Sequence, residues 1–196
     1  MNSQAFAVQL SAVAQTSGTD VEIRYTLTNT TSSRIVVFDH HLRFGPKSVV
    51  LRDETGINLG LDSDGGARLV RGVFSPPVYM SIFARPPVLV TPLEPGAAAA
   101  GSIRIATPSV ESNIFFPDAP CDGASAVTPK RVRLQIGWVE MRSEMTFREY
   151  VIDGKKYVNI GSNWGQPVQR VAESVISTPL KVCPYPGRFE SAVLTQ

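Results

Sequence analysis

His40 and His41 are the only imidazoles in this 196-residue chain, so they bound the acid–base and metal chemistry it can carry. Neighbouring residues on a strand point to opposite faces, and the two rings can meet at one metal only if the backbone there is a loop. The reading they support is a surface pair. A copper site would have to recruit thioethers from Met80, Met141 or Met145, because soft sulfur suits Cu(I), yet methionines scattered in this way are ordinarily packing. Nucleophilic catalysis needs a Ser or Cys beside a positioned base. No Gly-x-Ser-x-Gly elbow occurs, and Ser162 in Gly161-Ser162-Asn163-Trp164-Gly165 reads as a turn.

The carboxylates are no more directive. Asp62, Asp64 and Gly65 have the spacing of the first ligands of a calcium loop, but the bidentate Glu that closes such a loop is missing downstream, so a turn is expected. Glu140, Glu144 and Glu149 follow a strong strand and could supply an acidic pair for hydrolysis only if the fold brought two together; solvated strand faces explain them more simply. There is no P-loop, no G-x-G-x-x-G and no H-E-x-x-H. Asn29-Thr30-Thr31 is formally a glycosylation sequon, although a turn accounts for all three residues. No catalytic, cofactor-binding or metal residue is assigned, and no cofactor is expected.

Aromatic and aliphatic residues in Pro- and Gly-rich loops are the candidates for contact. Val78, Tyr79, Ile82 and Phe83 lie between Pro76-Pro77 and Pro86-Pro87, an apolar piece held by rigid flanks, while Trp164, Tyr185 and Phe189 sit in later loops. The competing reading of the last three is that they plug the ends of a sandwich.

What must position these groups is a set of strands. Val21, Ile23, Tyr25 and Leu27 alternate with Glu22, Arg24, Thr26 and Thr28, which predicts a strand with one buried and one wet face. Asn29 to Ser33 form a turn, and the β-branched run Ile35-Val36-Val37 suits a strand buried on both faces. Ala7 to Val13 precedes them through the turn Ser17-Gly18-Thr19-Asp20. Val49 to Arg52 is another strand, onto which Ile57 to Leu61 is expected to pair back. From Asp62 to Pro92 the prolines deny ladder donors, so edge strands and excursions are expected. Leu93-Glu94-Pro95-Gly96 offers Pro and Gly for a type II turn before a strand over Ala100–Ala106. Val132, Leu134, Ile136 and Trp138 alternate with Arg131, Arg133 and Gln135. Asp153-Gly154 joins two runs as a type I′ hairpin, and Val168 to Ser177 is the final strand. A short helix between Asn113 and Ala126 is the only helical expectation.

Apolar residues at 43%, charged residues at 18%, 15 Gly and 15 Pro fit a strand-and-loop protein better than a helical or disordered one. A net charge of +2 without clustering argues against a nucleic-acid partner, and Lys130-Arg131-Val132-Arg133 reads as the solvated face of a strand. No apolar run approaches the roughly 20 residues needed for a spanning helix, so no membrane insertion is expected. The opening Met1-Asn2-Ser3-Gln4-Ala5 has no basic start or long apolar stretch, which leaves a cytoplasmic protein or the mature form of an exported one. Cys121 and Cys183, both in Pro-bearing loops, are expected to bond to each other, which favours the periplasm or secretion.

The turn Leu27-Thr28-Asn29-Thr30-Thr31 before a second apolar strand, with Leu93-Glu94-Pro95-Gly96 opening a later one, resembles bacterial immunoglobulin-like β-sandwich domains. Among these are periplasmic pilus chaperones and sandwich-type intracellular proteinase inhibitors. The resemblance implies a sandwich and no activity. The chaperone's second domain and carboxylate-anchoring basic pair, and the inhibitor's reactive loop, have no counterpart that can be placed here. The expectation is one elaborated antiparallel immunoglobulin-like β-sandwich over residues 1–196. Its expected role is a non-catalytic exported module that binds another protein or an envelope component, with a hydrolase, a carbohydrate-active enzyme or a proteinase inhibitor as the alternatives.

Overall fold

The alternation around Tyr25 forms the strand it predicts. In the computed structural model, which describes residues 8–44, 50–73, 88–112, 119–152, 154–160 and 169–185, β2 (Asp20–Asn29) buries Val21, Ile23, Tyr25 and Leu27 and leaves Arg24 and Thr26 in solvent. Burying each of the four contributes about 1.5–3 kcal/mol, so this one face is a large part of the core. β1 (Val8–Ser17) pairs along it without interruption, from Val8 opposite Asn29 to Ser17 opposite Asp20. Gly18 turns the hairpin at a φ of +61°, which glycine takes without strain. On the other side lies β9 (Ala98–Ala106), also antiparallel.

Facing this three-stranded sheet is a larger one centred on β11 (Val132–Glu140). β14 (Arg170–Ile176) follows one edge of β11. The other edge is shared: β7 (Ala67–Arg71) pairs with its first half and β3 (Ile35–Val37) with its end. β6 (Asn58–Leu61) extends the sheet beyond β7, and β8 (Val88–Leu93), β13 (Lys155–Ile160) and β12 (Phe147–Ile152) extend it beyond β3. Two small pairs complete the fold, β4 (His41–Phe44) with β5 (Val50–Asp53) and β10 (Ser109–Val110) with β15 (Val182–Cys183).

The β-branched run behaves as its composition requires. Ile35 and Val37 enter the main core with Ile23, Leu27, Leu69, Leu134 and Ile136, whereas Val36 enters a second core with Phe38, Val90, Val139, Met145 and Ile160. The turns also match. Pro95 and Gly96 occupy the centre of a turn closed by Ala97 N donating to Glu94 O at 3.0 Å, with Gly96 at φ +78°. Ile152 faces Lys155 across a two-residue loop, with Gly154 at φ +74°.

Four expectations need correction. Ile57–Leu61 does not fold back on the preceding strand: β5 pairs with β4 and β6 with β7. The stretch from Asp62 to Pro92 is not confined to edges, because β7 lies between β6 and β11 with Ala67, Leu69, Val70 and Arg71 buried. Its two arginines hid it, since neither Arg68 nor Arg71 looks like a residue of an interior strand. The sheets are not wholly antiparallel, as β7–β11 and β10–β15 run parallel. Between Gly123 and Ser125 there is a single 3-10 turn capped by Asp122 rather than an α-helix, and residues 113–118 lie outside the described residues.

Candidate functional site

Asp39, His40 and His41 make the corner at which the chain leaves β3 for β4. The surface-pair expectation is wrong for His40, whose side chain is 12% exposed because β8 and β13 close over it. Thr91 Oγ1 donates to Asp39 Oδ1 at 2.8 Å and stands 3.3 Å from His40 Nε2, which is 3.6 Å from the same Asp39 oxygen. The imidazole meets Tyr157 edge-on at 5.6 Å between centroids. His41, half-buried, turns the other way, opposite Asp53. Any side chain at Gly56 would collide with the His41 ring and the Asp53 carboxylate, so glycine there permits a close approach.

This constellation holds an Asp, a His and a hydroxyl, but not in a relay. In a nucleophilic triad the imidazole lies between carboxylate and hydroxyl and takes the hydroxyl proton. Here the Thr91 proton points to Asp39, and one imidazole nitrogen faces both oxygens. The triangle ties the β3–β4 corner to β8, and the edge contact of His40 with Tyr157 adds β13.

Beneath the corner lies Arg71, 3% exposed, which no sequence argument singled out. Its five N–H groups find five oxygens: Nε to Gly56 O (3.0 Å), Nη1 to Tyr25 Oη and Asp39 O (2.8 Å each), and Nη2 to Glu54 O (2.9 Å) and Ser102 O (3.1 Å). Tyr25 can reach it because its cross-strand neighbour is Gly101, where a Cβ would overlap the phenol ring.

Asp62 and Asp64 lie in a turn, as expected, with Gly65 N donating to Asp62 O at 3.0 Å. Asp62 pairs with Arg68 of β7 and Arg133 of β11, and Asp64 with Arg131, just before β11, at 3.3 Å, so arginine side chains occupy the carboxylates. The Gly66 N–H bond holds the Asp64 carboxyl below the usual aspartate range, with Arg131 and Arg133 adding to it. The Asp62 hydrogen bond raises the Arg133 guanidinium. Among the basic residues from Lys130 to Arg133, only Arg133 lies on a strand: Lys130 and Arg131 precede β11, and Val132 between the arginines enters the core. Among the described residues no group of three or more His, Cys, Asp and Glu is disposed to hold a metal, and Met145 is part of the second core.

Glu140, Glu144 and Glu149 do not converge as an acid–base pair. Each is exposed and faces its own cation: Arg170 at 3.1 Å, Arg142 at 3.9 Å and Lys156 at 2.9 Å. Asn29 is fully buried. Its amide nitrogen donates to Ser33 O (2.9 Å) and Leu93 O (3.1 Å), and its oxygen accepts from Thr31 N and Oγ1. It is the lock of the Asn29–Ser33 turn, and no glycan could be attached there in the folded state.

Of the expected contact residues, Val78, Tyr79, Ile82, Phe83, Trp164 and Phe189 lie outside the described residues, as do Met80 and Ser162. Tyr185 is half-buried, and its N–H donates to Glu111 Oε2 at 2.9 Å. Nearby, Cys121 and Cys183 are bonded as expected, with sulfurs 2.02 Å and Cα atoms 5.6 Å apart.

The surface that the structure adds is the outer face of β1, β2 and β9. Small side chains give it an open groove of about 640 Å³, lined in part by Ser11, Val13, Arg24, Thr26, Ala100 and Ser102. Val13 is 65% exposed, the most exposed large apolar side chain among the described residues. Sequence reading passed over this strand because its outward residues, Gln9, Ser11, Val13 and Gln15, contain nothing reactive. No protein-family model matches this sequence, and no curated protein and no solved structure is detectably similar to it.

Proposed function

We propose that this protein is a non-catalytic, exported β-sandwich module, with an immunoglobulin-like core, that binds another protein or a cell-envelope component. The observation that carries the reading is how its side chains are used. The histidine at the β3–β4 corner, the Asp62 and Asp64 carboxylates and the three glutamates are engaged in framework contacts, whereas Val13, Val151, Val171 and Val175 stand in solvent on strand surfaces. Exposed aliphatic residues on rigid strands suit recognition better than chemistry. The core is consistent with an immunoglobulin-like arrangement, in which the apolar row of β2 packs on that of β11, although the parallel β7–β11 pair departs from an all-antiparallel sandwich. The Cys121–Cys183 bond favours an oxidising compartment. No helix among the described residues is long and apolar enough to cross a membrane.

The test is capture from envelope extracts of the source cell on immobilised, oxidised protein. The expected result is a partner retained by the native protein and released by Val13→Lys or Val175→Lys. Turnover of a glycan or ester substrate that disappears in Glu140→Gln or Glu149→Gln, with no partner retained, would replace this reading with the hydrolase.

A further inference from the structure

An edge strand carries a row of unpaired main-chain donors and acceptors, which folds ordinarily cover, shorten or guard with charge. Most outer strands here are closed. β1 and β14 lie against each other. β6 is bridged through Leu59 to Ser112 by two 2.8 Å bonds. On β9, Arg104 N donates to Thr55 O and Ser102 O accepts from Arg71.

β12, the last strand of the large sheet, is different. Among the described residues its one ladder partner is β13, and β5 approaches it without pairing. Phe147 packs one end against the second core and Ile152 packs the other against Leu42 and Leu89. The four residues between them, Arg148 to Val151, are all exposed, Val151 at 60%. Consecutive strand residues point to opposite faces, so both faces of this stretch stand in water while its ends are fixed. The hairpin register shows where its main chain points. In a two-residue hairpin the pair that closes the loop exchanges both main-chain bonds, and such pairs alternate with unbonded ones. Ile152, Tyr150 and Arg148 therefore bond to β13, and the N–H and C=O groups of Val151 and Glu149 face the free edge.

We infer that this edge takes up an extended peptide strand of a partner, one that places an acidic residue opposite Arg148 and an apolar residue opposite Tyr150. The choice of chemistry follows from the two faces. On one, Glu149 is answered by Lys156 at 2.9 Å, so a neutral residue suffices across from it. On the other, Arg148 has no acidic partner among the described residues, and Tyr150 stands beside its cross-strand neighbour Tyr157 as an exposed aromatic surface. A carboxylate across from Arg148 gains an attraction that a lysine or arginine there would turn into repulsion. A second copy of this chain does not supply it. Two-fold pairing of β12 with itself opposes residues of one face only, and the face that holds Arg148, Tyr150 and Ile152 has no acid. Main-chain bonds give such an addition its affinity, and the charged and aromatic pair gives it register. This inference rests on the binding reading above and adds the chemistry of the partner segment.

The experiment uses the oxidised full chain and two labelled, capped peptides of alternating valine and threonine, identical except for a central aspartate in one and a lysine in the other. Fluorescence anisotropy is expected to show the aspartate peptide binding roughly five-fold or more tightly. Arg148→Glu is expected to reverse that order. Val151→Pro removes an outward N–H without touching the bonds to β13, and is expected to abolish binding of both peptides. Circular dichroism verifies that each variant keeps its sheet. Absence of binding, equal binding that Arg148→Glu leaves equal, or binding that survives Val151→Pro overturns the inference. A dimer in sedimentation velocity that Val151→Pro dissociates, with neither peptide bound, overturns it in favour of a second copy. Capture of an envelope partner that Val13→Lys releases and Val151→Pro does not, again with neither peptide bound, overturns this edge alone and leaves the binding reading standing.

Discussion

The Tyr25 hydroxyl lies 2.8 Å from Arg71 Nη1, joining the small sheet to the large one by a hydrogen bond from a buried cation. The other four donors of that guanidinium end on main-chain oxygens, so it binds together four segments that have no ladder between them: the β3–β4 corner, the turn after β5, β7 and β9. A buried charge is tolerated only when its hydrogen-bonding capacity is filled, and here it is. Tyr25→Phe leaves one donor unanswered and is expected to lower unfolding free energy by about 1–3 kcal/mol. Urea unfolding measures it. An unchanged midpoint with an unchanged slope would mean that the bond is not formed in solution.

Arg71→Lys is expected to cost more than Tyr25→Phe, although it keeps the charge. A lysine has three donors on one point and cannot reach five acceptors arranged around a planar fork. The same urea experiment ranks the two variants, and a smaller loss for Arg71→Lys contradicts the account.

Tyr25 and Arg71 also show where legibility ended. The burial of Tyr25 was readable from its alternation with Arg24 and Thr26, and so were the turns at Gly18, Gly96 and Gly154, the strand over Val132–Trp138 and the disulfide; the central place of that strand was not. The readable features follow from period and turn chemistry, which are local. Arg71 was not readable, because five acceptors gathered from distant segments leave no local trace. Nor was the parallel pairing of β7 with β11, since parallel neighbours are set by the path of the intervening chain. The corner was not legible: His40 lies between β3 and β4, where strand alternation does not apply, and the closure of β8 and β13 over it is tertiary.

Asn29 tests whether a sequon can be purely structural. With both halves of its amide engaged and no exposure, it is expected to remain unmodified when the chain is expressed in a glycosylating host, with an intact mass equal to that of the bare polypeptide. Asn29→Ala should cost about 1–3 kcal/mol by leaving Leu93 O and Ser33 O without that donor. A glycan on folded protein of native stability would refute the buried position.

The Asp62–Gly66 turn should respond to acid. The Asp64 carboxyl is held below its usual range chiefly by the Gly66 N–H, so its folded value lies under its unfolded one, near 3.9 for a free aspartate. Its contribution is therefore complete above about pH 4 and is lost as pH falls through the folded value. Because Asp64 is exposed, the effect is local rather than global. The Gly66 amide resonance should titrate with a midpoint below that of a free aspartate and should lose this step in Asp64→Asn. A midpoint at or above the free value contradicts the geometry.

The disulfide is the tie expected to matter most for the second half of the chain. Cys121 belongs to a loop whose only regular structure among the described residues is one 3-10 turn, and Cys183 ends a two-residue strand. Around the bond the main-chain contacts are few: Val127 bridges Val182, and Ser109 N and Glu111 N donate to Lys181 O and Cys183 O. With a sequence separation of 62 between the partners, the chain-entropy model gives about 4 kcal/mol for closing the loop. The paired Cys121→Ser, Cys183→Ser variant is thus expected to unfold at markedly lower urea with a steeper slope, as the unfolded chain expands. Native protein in dithiothreitol should behave alike. The main core should survive, since Val132, Leu134 and Ile136 pack independently of that bond, so circular dichroism in the absence of urea should keep its β signature. If reduction leaves the midpoint where it was, the bond is dispensable, and the argument from it to an oxidising compartment loses its force.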